Sequence, residues 1–160
     1  MQLGTKAEQL QRVGVETLAI VGSRAERVRF YLQFRPVRFP VGADPDLITH
    51  RAYGVPQSVV TPEIMQAIHG AYGTLARELK LEVPDDRARD TIDRLDGFEV
   101  TESENAEFQR HQIQFIAQFL VDRDGIVRWS NIECAQEGPA GIDRFPTDEE
   151  LVAAARALPR

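Results

Sequence analysis

Thiols are nearly absent from this chain: its 160 residues include one cysteine, Cys134. A lone cysteine excludes an internal disulfide framework. Long apolar runs are missing too. None approaches the roughly 18 residues of a membrane span. The opening MQLGTKAEQLQRVG has no apolar core of the signal-peptide kind. Basic charge is not in excess: the formal net charge is -6 and no basic stripe stands out. Binding to nucleic acid through phosphate neutralisation is therefore not expected. Neither a nucleic acid nor a membrane is expected as a partner, and a cytoplasmic location is the default.

What is present is ordinary for one soluble domain. With 42% hydrophobic and 28% charged residues, the chain is long enough to bury a core. Leu3, Ala7 and Leu10 recur at helical spacing, which predicts a helix over 3–12 stopped by Gly14. VETLAIVG, residues 15–22, reads as a buried, parallel strand. Ser23 to Glu26 has the form of a capping box. The helix it opens carries Val28, Tyr31, Leu32 and Phe34 and stops before Pro36. A short strand and polar turn follow in RFPVGADPD, then a short helix in LITHRAYGV.

The middle is helical. Thr61-Pro62 is an N-cap and first-turn pair. Ile64, Met65, Ile68, Tyr72, Leu75 and Leu79 then mark one face of a helix. VPDDRARDTIDRLDG predicts a second helix with Ile92 and Leu95 inward, and SENAEFQRHQ a third. QFLVDRDGIVRWSNIEC reads as a hairpin, GPAGIDRFP as a loop, and Thr147 to Glu150 as a capping box on a closing helix. The alternation predicts an α/β sheet with helices on both faces, made mixed by the hairpin. The pattern opens with a helix, whereas a βαβ crossover needs a strand first.

The segment VGVETLAIVGSRAERVRFYLQFRPVRFPVGADPDLITHRAYGVP resembles the middle of a peroxiredoxin-like redoxin of the alkyl hydroperoxide reductase and thiol-specific antioxidant family. QFLVDRDGIVRW, with Asp122, Asp124 and Gly125 at its turn, is similar to that family's late hairpin. PTDEELVAAARAL is similar to its closing helix. The likeness covers about 100 of the 160 residues and rests on order and spacing rather than on one motif. It implies a thioredoxin-like, three-layer α/β/α fold with a mixed sheet: one domain over 1–160, with a helical insertion at about 57–112. It implies thiol-dependent antioxidant oxidoreductase activity and no cofactor or metal. The implied substrate is a small peroxide or a protein disulfide. A thioredoxin-type reductant and a homodimer are the partners it admits.

The family's peroxidatic cysteine starts the first helix, where the helix N-terminus lowers the thiol pKa. Residues 1–12 hold no cysteine. A cis-proline or an arginine often precedes the family's late strand; the matching position is Ile116. The expectation is an N-terminally shortened form begun at an internal methionine. The other reading is a non-catalytic relative.

Cys134 has two readings. It is a resolving or redox-sensing thiol, or a small buried residue at a strand end. Glu133 beside it would raise the thiol pKa, against reactivity. Asp46 and His50 are four apart, but no third metal ligand is evident, and His69 and His111 stand apart from them. No serine or cysteine pairs with a histidine in a recognisable catalytic frame. Arg144 reads as a solvated loop residue, Phe119 and Trp129 as packing, and Glu102, Glu104 and Glu107 as a solvated helix face. The face over 64–79 reads as core, with a lid over a groove as the sharper reading. Three functions follow: a thiol peroxidase or disulfide oxidoreductase, a non-catalytic thioredoxin-like binding module, or a redox sensor acting through Cys134.

Overall fold

The computed structural model describes residues 2–95 and 101–159. The chain is mixed α/β, with seven α-helices and three small two-stranded sheets among the described residues. They group into two compact units. One comprises Met1–Pro56, Ala117–Asn131 and Pro146–Arg160; the other comprises Gln57–Ile116 and Ile132–Phe145.

In the first unit, α1 (Gln2–Arg12) ends at Gly14, whose φ of 84° lies in the left-handed region. There the Val15 amide donates to the Leu10 carbonyl at 3.0 Å and closes the helix. The predicted strand over 15–22 shrinks to β1 (Ala19–Val21), which is half-buried rather than buried. It runs parallel to β2 (Val41–Ala43), with Ala19 opposite Val41 and Val21 opposite Ala43. Pairing needs a partner, and β2 offers only three residues. Leu18, just before β1, is 64% exposed.

Between these strands lies α2 (Ala25–Phe34). Its N-cap is Arg24, without a side-chain cap bond, so the Ser23 capping box does not form. The Ser23 amide instead turns back to the Val21 carbonyl at 2.8 Å, one residue too early to cap. Val28 points inward, while Tyr31 and Phe34 are exposed. The short α3 (Ile48–Ala52) is closed by Gly54 at φ 69°.

The hairpin of β5 (Ala117–Val121) and β6 (Val127–Ile132) forms as expected, with Gly125 at φ 79° in its turn. Asp122 organises that turn, its Oδ1 accepting from the amides of Asp124 and Ile126, both at 2.9 Å. The closing helix α7 (Asp148–Arg156) carries the predicted capping box between Thr147 and Glu150. Leu10, Leu120, Leu151 and Ala155 make this unit's buried core, with Val13, Val15, Trp129 and Leu158 packed around them. Each buried leucine contributes about 2 kcal/mol by leaving water. Lys6 fastens α1 to the start of α7, donating to Asp148 at 2.7 Å and to the Pro146 carbonyl at 3.1 Å.

One mixed sheet is not what the described residues form. β1 pairs only with β2, and β5 only with β6. The third pair, β3 (Gln57–Ser58) with β4 (Ile113–Gln114), is antiparallel and belongs to the second unit. It was not foreseen, because two-residue strands leave no periodicity to read.

That second unit holds α4 (Pro62–Glu78), α5 (Asp85–Leu95) and α6 (Glu102–His111). Thr61 caps α4 as predicted, its hydroxyl accepting from the Ile64 amide at 3.3 Å. The inward face differs from the expected stripe. Ala76, Ala88 and Ile92 form the core, with Tyr72, Leu81 and Val83 around them, while Leu75, Leu79 and Leu95 are exposed. Small residues decide this packing. A Cβ at Gly73 would collide with the Asp85 carboxylate, so glycine lets α5 close on α4. The Asp96–Gly97 end of the predicted second helix and the side chains of Leu3 and Glu104 lie outside the described residues.

Candidate functional site

The candidate site is the loop that follows β6 and carries Cys134. It is built from one acidic side chain. Glu133 is buried, and each of its carboxylate oxygens holds a backbone amide. Oε2 accepts from Ile116 and Oε1 from Asp143, both at 2.9 Å. The Glu133 amide in turn donates to the Ile116 carbonyl at 2.9 Å, extending the ladder beyond β6. A buried carboxylate is costly unless paired or hydrogen-bonded, and two amides supply that compensation.

Cys134 comes next, at φ 62°, in the left-handed region. The chain turns there, the Gly138 amide donates to the Cys134 carbonyl at 3.2 Å, and Gly138–Gly141 forms a single 3-10 turn. Asp143, at φ 63°, ends the loop. The thiol is half-buried. Burial pushes its pKa up, and the carboxylates of Glu133 and Glu137 push it further. Each effect disfavours thiolate, the form that attacks peroxides and disulfides. Asp143 is also pushed above the usual carboxyl range by desolvation, then by Glu133 and Glu78. Tyr72 on α4 is pushed up by burial, with Asp93 and Asp143 adding to it and Arg89 opposing. The loop is thus acidic, and the shifts at Cys134, Asp143 and Tyr72 all favour the protonated form.

The histidine and aspartate candidates at α3 do not join it. His50 lies with Asp44 rather than Asp46: its Nδ1 is 3.7 Å from Asp44 Oδ2, buried and without a hydrogen bond. Asp44 is held by α3, accepting from the amides of Ile48 at 2.9 Å and Thr49 at 2.7 Å. Burial raises the Asp44 pKa, but the amides of Ile48, Thr49 and His50 outweigh it and leave the carboxyl lowered. The Asp46 carbonyl accepts from Arg51 at 2.7 Å. Among the described residues, no three His, Cys, Asp or Glu side chains are placed to hold a metal ion.

Arg144 is exposed, as read from the sequence. Ile116 is exposed, and among the described residues no peptide bond is cis. Phe119 packs on Tyr53 with ring centroids 4.9 Å apart, and Trp129 packs on the core. Glu102 is exposed and Glu107 half-buried. A shallow cleft of about 200 Å³ lies between α1 and the 36–39 segment, with Gln11, Thr17 and Arg38 among its walls. It holds neither the thiol nor a histidine.

The residue missed by the sequence reading is Glu133 as a clamp. From the sequence it reads only as a neighbour of the thiol. The available signal is an acidic residue directly after a strand, where a carboxylate must find donors or stay exposed.

Compared with known proteins, the chain matches no family model, no curated protein and no solved structure.

Proposed function

We propose that this chain is the scaffold part of a peroxiredoxin-like thiol oxidoreductase, with Cys134 outside the chemistry. One observation carries the reading. In the first unit, β1, α2 and a parallel β2 are followed by the β5–β6 hairpin and a capped closing helix, the order that a thioredoxin-like domain uses. In this reading the substrate is a small peroxide or a protein disulfide. The thiolate that attacks the peroxide comes from a cysteine outside the 160 residues. It takes one oxygen to become a sulfenic acid, the other oxygen leaves as alcohol or water, and a second thiol restores it through a disulfide.

The test is peroxide consumption with a dithiol reductant, run beside the intact mass of the protein made from its native gene. The reading expects no turnover from a chain of 18.0 kDa, and turnover from a heavier native form with a second cysteine. Turnover by the 160-residue chain that Cys134→Ser abolishes would overturn it.

A second reading is a thioredoxin-like binding module without thiol chemistry. The raised thiol pKa of Cys134 is compatible with it, as it is with the first reading. A native mass of 18.0 kDa without peroxide turnover is the result this reading expects.

A further inference from the structure

The loop from Glu133 to Asp143 is held shut by one side chain. Glu133 is buried, and its two carboxylate oxygens accept from the Ile116 and Asp143 amides, both at 2.9 Å. Within the loop the Gly138 amide donates to the Cys134 carbonyl at 3.2 Å. Gly141 lies on the Cys134 backbone, and the 138–141 turn rests against α4. Cys134 and Asp143, at the two ends, sit at φ 62° and 63°. A residue with a side chain stays in that region only where its surroundings hold it there. Releasing the Glu133 clamp therefore frees both ends of the loop at once.

The clamp also sets two acids side by side. The Asp143 carboxyl is joined to its own amide nitrogen through only Cα and Cβ, and Glu133 Oε1 is 2.9 Å from that nitrogen. Covalent geometry thus keeps the two carboxyl groups within roughly 7 Å of each other. Both Glu133 oxygens are occupied by amides, so Glu133 meets Asp143 as an acceptor and a charge. From α4, Glu78 adds a further negative charge at Asp143, and Tyr72 is the neighbour that feels Asp143 in turn. Arg89 and Asp93 on α5 act on Tyr72 with opposite signs. On the loop's own side, Glu137 and Arg144 are exposed. Carboxylates this close disfavour one another's charge. Desolvation, then Glu133 and Glu78, push the Asp143 carboxyl upward, in keeping with that geometry.

We infer that the 133–143 loop is a proton-operated latch over the Cys134 thiol, closed when Asp143 is protonated and loosened when Asp143 carries charge beside the buried Glu133 carboxylate. Loosening lifts Gly141 from the Cys134 backbone and bares the thiol. The latch does not rest on the oxidoreductase reading, which leaves Cys134 outside the chemistry. A carboxyl that holds its proton more tightly in the closed loop stabilises closure fully below its ordinary value of about 4. That stabilisation is lost as the pH rises through the raised value of the closed loop.

The test is amide hydrogen exchange of the whole chain at pH about 4.5 and about 7.5, with each rate divided by the intrinsic exchange rate at that pH. The expected result is about fivefold lower protection of the 134–143 amides at the higher pH, while the α4 amides change less than about twofold. Asp143→Asn removes the charge and suits the left-handed backbone, which asparagine tolerates well. Its loop should be equally protected at both pH values. Asp143→Gly suits that backbone better still and should behave the same way, which keeps the test decisive if the asparagine variant folds poorly. Loop protection that is equal at the two pH values in the native chain would overturn the inference. So would a native-like loss of protection in the charge-free variants, which would assign the opening to another group.

Discussion

Gly141 closes directly on the backbone of Cys134. A methyl group at 141 would lie 3.1 Å from the Cys134 Cα and 3.2 Å from its amide nitrogen. The obstacle is main chain at a left-handed turn, so no side chain can swing aside. Gly141→Ala is expected to cost about 1–3 kcal/mol, as overpacking of a closed site does. A urea midpoint equal to that of the native chain would show that the loop relaxes instead.

Glu133 ties three points of the loop together, and its charge also acts on the neighbouring thiol. Glu133→Gln keeps the volume but replaces one accepting oxygen with a donor facing a backbone amide. Stability should fall by about 2–3 kcal/mol, the scale for losing a charge-assisted bond in a buried site. The Cys134 thiol should then react faster with a disulfide reagent near pH 8, because one carboxylate that raised its pKa is gone. Glu137→Gln separates charge from unfolding, since Glu137 is exposed but also raises the thiol pKa. A rate unchanged in both Glu133→Gln and Glu137→Gln would assign the raised pKa to burial alone.

The legible parts of this fold were those announced by local chemistry. Thr61 with Pro62, Thr147 with Glu150, and Gly14 and Gly54 set helix ends through bonds within a few residues, so the sequence displayed them. The failures involve distant partners. The run over 15–22 has strand composition throughout, but pairing stops where β2 stops. On α4 the large apolar residues suggested a face through Leu75 and Leu79. The helix instead turns Gly73 and Ala76 toward α5, since close approach selects small residues that a count of apolar bulk passes over. At Cys134 the thiol and its acidic neighbour were legible, but not the two amides, 17 and 10 positions from Glu133, that make the neighbour a clamp.

Acid should act on the stability of this chain in two stages of opposite sign. Asp148 is lowered first by the Lys6 hydrogen bond, with Gln9 adding to it. Asp122 is lowered by the Ile126 amide and by Arg128, whose Nε is 2.6 Å from its Oδ2. Asp44 is lowered as described. A carboxyl with a lowered folded-state pKa stabilises the fold above the unfolded value of about 4. That stabilisation fades as the pH falls through the folded pKa, because the unfolded state takes up protons first. Asp143 is raised, so protonation favours the fold in the window above pH about 4. The urea midpoint should therefore be level or slightly higher near pH 5 than at pH 7, then drop below pH about 4. In Asp122→Asn the acid drop should be shallower. A midpoint falling steadily from pH 7 would mean that Asp143 does not carry its raised pKa.

Lys80 offers the opposite kind of change, one that should strengthen the fold. It sits at φ 58° just beyond α4, where the Leu81 amide reaches back to the Ala76 carbonyl at 2.9 Å. The same closure ends α1 at Gly14 and α3 at Gly54, but there the left-handed residue is glycine. A side chain in that conformation crowds its own carbonyl, at a cost of roughly 1 kcal/mol. Lys80→Gly removes the crowding while loosening the unfolded chain, two effects of opposite sign. Lys80 is exposed, and no packed apolar contact is lost with its side chain. The expected net gain is about 0.5 kcal/mol, read as a higher urea midpoint with an unchanged slope. Lys80→Ala keeps the Cβ in the strained region and should show no such gain. If both variants lower the midpoint equally, the α4 closure is not left-handed in solution.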